Sequence, residues 1–576
     1  MKPYTIIEYP EHRPFTISSN RGYFIGYLDL VPDGMGYHKK GEMNGLWYPP
    51  LRALKNVYVS DGERILKPIR AEIGYNKTKF LFDGSDLDIS FDDGSVFTAM
   101  LTNRTQESRV LVIELLPETV WYSINDTRVI PKKRTVTVYS YMFPEVSLRI
   151  RSTADLSIEG SRLTIHSNRR TSVRVWANSI ISGEQHMKMN GYADIDRFSV
   201  LISRDRYLSR NFRLAKDNMI RLSLMVPGIG YGIMAGHPDF PWFFGIDTLL
   251  SINGMLDSGL FDLAFGSLNV LARFSRSGKI PHEVLTSGKV YNDGDLEETA
   301  MFPYAVFRYA RWTGHDEKVK HLVQTASESF DYLFNSGYRG RGIMEDPDAG
   351  TGVDIDTVSF TIMSLKEFEK MMTLDQHIVG EIADRIRPRE KIGDLMKLLR
   401  SFWMPEKNTF ANRIVDRVPF DLGFWTSIVP FYAGLPDPEL YGRFVSDQGG
   451  LSRLSSIYGI RVDANGNSMP INTGMFVLGA IRYGDIERAS EYFRKLNASL
   501  GSFSPNSYPE IINNPQGCYL QAWSAAIYLE SVVEGFFGVH PEGDRIVSIP
   551  HSADVIPSDT RIRNLIFRDG SYEFKL

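Results

Sequence analysis

A single cysteine, Cys518, stands in 576 residues. One thiol allows no internal disulfide and no cysteine-based metal cluster. No run of about 18 apolar residues occurs, so no transmembrane helix is expected. The opening MKPYTIIEYPEHRP lacks a continuous apolar stretch, and no signal peptide is expected. Neither sign of charge dominates: 65 Lys and Arg face 69 Asp and Glu, for a net charge of −4. That balance argues against an electrostatic grip on nucleic acid or on an anionic membrane. Also missing are a G-x-x-x-x-G-K-[ST] stretch, a G-x-G-x-x-G after a strand, and any Cys/His cluster. Neither a nucleotide cofactor nor a structural metal is therefore expected. Together these absences point to a cytoplasmic location.

What is present is an ordinary globular composition with 12% aromatic residues: 28 Tyr, 34 Phe and 8 Trp. Such a stock of rings serves either a large core or sugar stacking, because the C–H face of a sugar packs on an aromatic ring.

The chain is written in two grammars. Up to residue 211, short β-rich runs such as TKFLF, LDISF, RVLVIELLP, RTVTVYS and SVRVWAN alternate with DG-type turns. Period-two patterning over many short runs predicts an antiparallel β-sandwich. Residues 212–239, RLAKDNMIRLSLMVPGIGYGIMAGHPD within them, read as a final strand and a glycine-rich connector. From residue 240 to 539 the pattern becomes helical, with apolar residues at i, i+3, i+4 and i+7 and glycine stops. FGIDTLLSINGMLDSG, ETAMFPYAVFRYARWTG, TVSFTIMSLKEFEKMM and LQAWSAAIYLESVVEGFFG are examples. About eleven to twelve such segments with no fixed repeat period fit six helical hairpins, an (α/α)6 barrel, better than a solenoid. Residues 540–576 return to β character.

Four loops combine acids with rings or glycines. Pro241-Trp242-Phe243-Phe244-Gly245-Ile246-Asp247-Thr248 opens the first strong helix, where Asp247 is either a capping acid or a site residue. Ile280-Pro281-His282-Glu283 precedes Tyr291 and the acids Asp293, Asp295, Glu297 and Glu298, which read equally as a solvated helix start. Five acids crowd residues 342–356, among them Glu345, Asp346, Asp348 and Asp354; the calcium-loop order of an EF-hand is absent there. Last, Tyr508-Pro509-Glu510 leads into Cys518-Tyr519-Leu520-Gln521-Ala522-Trp523-Ser524.

The order PWFFGIDT, GKIPHE, acidic loop, then Pro-Glu loop plus QAWS resembles the amylo-α-1,6-glucosidase family, the glucosidase part of glycogen-debranching enzymes. The resemblance covers residues 240–539. It implies a six-hairpin glycosidase that inverts at the anomeric carbon and needs no cofactor. It implies that Glu510, in the Pro-Glu motif, is the general base. It implies a general acid in the loop between the fifth and sixth barrel helices, where Ile343-Met344-Glu345 matches a Trp-Met-Asp stretch; Glu345 takes that role, with Asp346 the alternative. Asp247 would hold the sugar in the −1 subsite, although Ile246 replaces the family's arginine. Trp242, His282, Glu283, Tyr291, Glu297, Trp425 and Gln521 would complete the substrate site, and Trp523 is a further ring within reach if its helix turns it inward.

The expected substrate is an oligo- or polysaccharide, most simply the α-1,6 branches of a glycogen-like glucan. The readings held beside it are a glucoamylase-, trehalase- or rhamnosidase-like hydrolase, a phosphorolytic relative, a non-catalytic carbohydrate-binding protein, and an isoprenoid-cyclase-like α-barrel. A phosphorylase would dispense with the base at Glu510, and Asp354-Ile355-Asp356 is a poor metal motif for a cyclase.

Overall fold

A computed structural model describes residues 5–38, 41–74, 76–119, 127–167, 169–179, 195–314, 317–336, 352–372 and 376–576. The N-terminal part is antiparallel throughout. One sheet orders its strands Thr5–Glu8, Arg70–Ile73, Lys77–Phe82, Ser85–Phe91, Phe97–Asn103, Arg170–Ser179, Val146–Ser152, Thr135–Ser140 and Thr127–Lys132. The second runs Ser157–Glu159, Arg162–Ser167, Arg109–Thr119, Leu51–Ser60, Gly45–Tyr48, Tyr23–Tyr27 and Pro14–Ser18. Strand Phe97–Asn103 buries every second residue, and Val146–Ser152 does the same. That is the pleat turning alternate side chains to one face. Leu87, Ile89, Ala99, Leu101, Leu148 and Val173 of the first sheet share one apolar cluster with Phe24, Leu54, Val57 and Ile113 of the second. The DG signal holds where Phe82 pairs with Ser85 across Asp83-Gly84.

The segment read as a final strand is a helix. α1, Arg206–Arg221, crosses residue 211, and a hairpin of Ser223–Val226 with Gly230–Ile233 follows it. Asp205 caps α1 by accepting from the N–H groups of Tyr207 and Leu208. α1 is buried from Asn211 onward except at Arg213, and it carries Lys216, Asp217, Asn218 and Arg221 inward. Lys216 Nζ donates to the carbonyls of Ile195, Phe198 and Ser199, and Asp217 pairs with Arg221 at 2.6 Å. The helical period is present in the sequence, with Leu208, Phe212, Ala215 and Met219 at i, i+4, i+7 and i+11, but the boundary at residue 211 cuts through it.

The rest is mostly helical: α2 (Gly245–Asp257), α3 (Phe261–Phe274), α4 (Glu297–Thr313), α5 (Lys320–Asp331), α6 (Ile355–Met372), α7 (Gln376–Ile386), α8 (Pro388–Ser401), α9 (Val429–Tyr432), α10 (Pro438–Phe444), α11 (Gly450–Leu454), α12 (Pro470–Arg482), α13 (Ile486–Ala498) and α14 (Ala522–Glu530). Every residue of α2 is buried, whereas α13 buries one stripe and turns charge outward. The reason lies in their neighbours. α2 packs on α4, α4 on α6, α6 on α9, α9 on α12, α12 on α14, and α14 back on α2. A helix covered on all sides is apolar all round, and one covered on a single side is amphipathic. Beyond α14, the strand Arg561–Phe567 pairs with Val200–Ile202 on one side and with Gly570–Lys575 on the other. No helix among the described residues is long and apolar enough to cross a membrane.

Candidate active site

The sequence places an acid directly after a two-residue strand at the start of α2. Phe243–Phe244 pairs with Glu283–Val284, and α2 begins at Gly245. A side chain at Gly245 would meet Glu298 Cγ and the Pro281 carbonyl at 2.5 Å, so only glycine lets the helix start this close to the second acidic loop. Asp247 then falls in the first turn of α2, and Gln521 Nε2 donates to its Oδ1 at 2.7 Å. Gln521 is held by pairing of Leu520–Gln521 with Gly236–His237.

The Pro-Glu loop is pinned from three sides. Asn218 of α1 donates to the Asn506 carbonyl at 2.8 Å and accepts from the Tyr508 N–H at 2.7 Å. The Glu510 N–H donates to the Cys518 carbonyl at 2.7 Å, and the Cys518 N–H returns a bond to Glu510 Oε2 at 2.9 Å. The Ile512 N–H reaches the Ser468 carbonyl. Three segments distant in sequence thus fix one carboxylate.

These side chains meet in a cavity of about 240 Å³. Asp247, Glu297, Glu510, His282 and Gln521 supply its polar wall; Phe244, Trp425 and Trp523 supply its rings, with Phe240, Ile246, Phe360 and Ile471 filling between. Of the expected site residues, the structure therefore gathers Asp247, His282, Glu297, Trp425, Glu510 and Gln521. It adds Trp523 from within α14. It also adds Phe244, Phe360 and Ile471, whose apolar character gave no signal distinct from core.

Three expectations are corrected. Trp242 does not line the cavity: its ring packs on Phe244 and Phe240, and its indole N–H donates to Glu283 Oε2 at 3.0 Å. It is 2% exposed and belongs to a small core cluster with Met43 and Leu285. Glu283 is engaged by that indole outside the cavity lining. Tyr291 is 65% exposed on the strand Val290–Asn292, beside Lys289. Glu345 and Asp346 lie outside the described residues. Asp354, weighed for calcium, instead holds Arg413 through two bonds of 2.7 and 3.0 Å.

Charge in the pocket is unusual. Burial pushes Asp247 up to about 7; His282 pulls it down and Glu510 pushes it further up. Burial also pushes the His282 imidazole down. The Glu298 carboxylate bonded to its Nδ1, with Asp247 and Glu283 nearby, outweighs this and holds the ring up to about 9. His282 is the basic side chain in the cavity lining. It puts an imidazolium beside Asp247, next to which Ile246 offers no cation. Glu510 is half-buried. Burial raises its carboxyl, the Cys518 N–H lowers it in part, and Asp239 raises it. His282, Glu297 and Glu298 bring three ligand atoms within 4.8 Å of one another. Nδ1 of His282 is already bonded to Glu298.

The N-terminal part reaches this site, which the sequence did not foretell. Buried Asp239 accepts from the N–H groups of Tyr37 at 2.7 Å and His38 at 3.4 Å. The Tyr37 phenol is held well above its ordinary range by burial and by the charges of Glu510, Cys518, Asp239 and Glu283. Its ring sits edge-on to Phe240 at 6.1 Å.

No protein-family model and no curated protein sequence matches the chain. Solved structures do. A putative kojibiose phosphorylase from the human microbiome superposes with a TM-score of 0.62 at 11% identity, covering 100% of this chain and 96% of that one. A bacterial glucoamylase complexed with acarbose gives 0.53 at 12% identity over 92% and 97%. A sialidase gives 0.50 at 9% identity over 86% and 59%. The chain shares their fold: large antiparallel sheets followed by a helical region, in a mixed α+β chain. None of the three carries a debranching enzyme's name, and likeness at this identity speaks for fold alone.

Proposed function

We propose that this chain is an inverting, exo-acting α-glucosidase that cleaves α-1,6 branches of a glycogen-like glucan, akin to the amylo-α-1,6-glucosidases. The observation that carries the reading is the cavity itself. It is small, ringed by aromatic faces, and lined by the Glu510 carboxylate together with a hydrogen-bonded acid, Asp247. A hollow of that kind suits one hexose, with C–H faces on Trp425 and Trp523 and hydroxyls on Asp247 and Gln521. The circuit of α2, α4, α6, α9, α12 and α14 supports an (α/α)6 barrel whose loop-bearing end holds the pocket.

In this reading Glu345, or Asp346 beside it, protonates the glycosidic oxygen as the C–O bond breaks. Glu510 takes a proton from water as the water oxygen bonds the anomeric carbon from the opposite face. The two carboxyls then stand roughly 6.5–9.5 Å apart. His282 balances the charge of Asp247 against the sugar. Hydrolysis is favoured over phosphorolysis by two features. Glu510 is a base that an attacking phosphate would not need, and among the described residues the one basic side chain in the lining, His282, is already tied to Glu298.

The test is sugar release from limit dextrin, isomaltose, maltose, trehalose and soluble starch, each with and without inorganic phosphate. Free glucose from limit dextrin and isomaltose without phosphate is expected. Release that requires phosphate, or none from any glucoside, overturns the reading.

A further inference from the structure

The outer face of the first sheet gathers positive charge. Its inner face is apolar: Val136, Val138, Leu148, Ile150, Val173 and Val175 enter the sandwich core. The residues between them turn the other way. Arg149 stands directly opposite Thr137 on one neighbouring strand and Trp176 on the other. Arg151 stands opposite Arg174, and Arg128 opposite Tyr139. The four arginines are exposed, Tyr139 is 42% exposed and Trp176 is half-buried. The result is a pleated wall of guanidinium groups, two rings and the Thr137 hydroxyl. None of these residues lines the catalytic pocket.

Elsewhere on the same sheet, acids and bases are matched. Asp88 pairs with Lys77 at 2.8 Å, and Asp86 with Lys79 at 3.1 Å and with Arg104. On this half they are not. Arg174 reaches Asp92 at 3.5 Å with both groups open to solvent, and no described acid lies within ion-pair distance of Arg128, Arg149 or Arg151. Arg151 and Arg174 form a cross-strand pair, and like charges so placed destabilise a sheet. A chain of net charge −4 thus concentrates four guanidinium groups here against an energetic cost. The face is complementary to an anion laid across it. A guanidinium fork holds phosphate through two parallel bonds. Trp and Tyr combine an apolar ring face with a polar edge, which suits sugar rings.

We propose that this face docks a glucan that bears phosphate monoesters, at a site separate from the catalytic pocket. The choice of a glucan rests on the glycosidase reading above; the preference for an anion rests on the arginines alone. A phosphate monoester carries about −1.5 to −2 charges at pH 7 and three acceptor oxygens. A few such groups along an otherwise neutral polymer engage the arginines, while Trp176 and Tyr139 take the sugars between them. A polymer charged at every unit, such as RNA, fits less well, because the field of an acidic chain opposes a dense polyanion.

The test is retardation of the intact protein in native gels that contain a phosphate-bearing starch, the same starch after phosphatase treatment, or single-stranded RNA. The wild type should bind the phosphate-bearing starch about tenfold or more tightly than the treated one. Added salt should erase the difference. Arg149→Ser combined with Arg151→Ser should abolish the preference, and Trp176→Ala should weaken binding to both starches alike. Arg149→Lys keeps the charge but loses the fork; it should reduce the preference, and it reports on the site even if the double variant does not fold. Equal retardation by the two starches, an unchanged preference in the folded arginine variants, or tighter binding to RNA than to the phosphate-bearing starch overturns the inference. Binding here needs no hydrolysis, so the two readings part cleanly. A preference that the arginine variants erase, in a protein that releases no sugar, upholds the surface and sinks the catalysis. Hydrolysis of limit dextrin with no preference for phosphate does the reverse.

Discussion

Gln521 donates its amide N–H to Asp247 Oδ1 across 274 residues of chain. This bond fixes the carboxyl proposed to hold the sugar and joins the first turn of α2 to the strand before α14. Gln521→Leu should lower kcat/KM by about 10–100-fold, the effect of losing one hydrogen bond to a partly charged acceptor. Circular dichroism should show the fold retained. Activity within twofold of wild type would remove Asp247 from the sugar site.

Glu510→Gln should cut hydrolysis by about 10²–10⁴-fold. Calorimetry should show oligosaccharide binding preserved, because amide and carboxylate are nearly isosteric. Glu345→Gln and Asp346→Asn, assayed side by side, identify the acid. If both stay active, neither residue is the acid, and Glu297 is the next to test.

The first sugar released should carry the inverted configuration. A proton NMR spectrum taken within the first turnovers on an α-glucoside should show the β-anomer, followed by mutarotation. An α-anomer would mean a covalent glycosyl intermediate and carboxyls only about 5 Å apart.

The acid limb of the pH–rate profile reports the base. Glu510 acts ionised, and its folded value lies above the ordinary 4.5. Activity should therefore be lost on acidification at a pH above 4.5, not below it. Asp239 raises Glu510 through its charge, so Asp239→Asn should move the limb to lower pH while its amide oxygen still accepts from Tyr37. A limb that stays in place would separate the two groups electrostatically.

Stability should fall as pH rises. Glu530 is fully buried between helices, accepts from the Tyr432 hydroxyl at 3.1 Å, and is pushed above its ordinary 4.5 by burial and by Glu534. A raised folded value gives stability that is complete below 4.5 and is lost as pH rises through the folded value toward neutrality. Thermal melts should show this decline, and Glu530→Gln should flatten it. A melting temperature that climbs over the same range would contradict the buried state of this acid.

The change of grammar near residue 240 was legible because sheets and helices impose periods of 2 and 3.6. What stayed hidden has physical causes. α1 has Leu208, Phe212, Ala215 and Met219 at helical spacing, but the boundary at residue 211 divides it, and Lys216, Asp217 and Asn218 go inward beside them. α7 is 11 residues long, and its stripe of Ile378, Ile382 and Ile386 is too short a run to stand out. In the site, Asp247, His282, Glu297 and Glu510 were readable as acids and bases in loops. Trp242 was misplaced because a tryptophan beside a site motif looks the same whether its indole meets sugar or Glu283. Tyr37 was unreadable, since its approach to Glu510 depends on how two distant parts dock.

The bonds from Tyr37 and His38 to Asp239 have a consequence for synthesis. The ribosome makes the sheets first and the loop carrying Glu510 and Cys518 near the end. At about 5–20 residues per second, the sheets wait on the order of a minute for their catalytic partner. Throughout that interval the nascent chain has a folded N-terminal unit, an anchored Tyr37 and no base. On the proposed reading it cannot cut glucan until residues 510–521 have reached α1 and α2, to which Asn218 and Asp247 bond them. A chain interrupted anywhere before that point should be released folded in part and wholly inert.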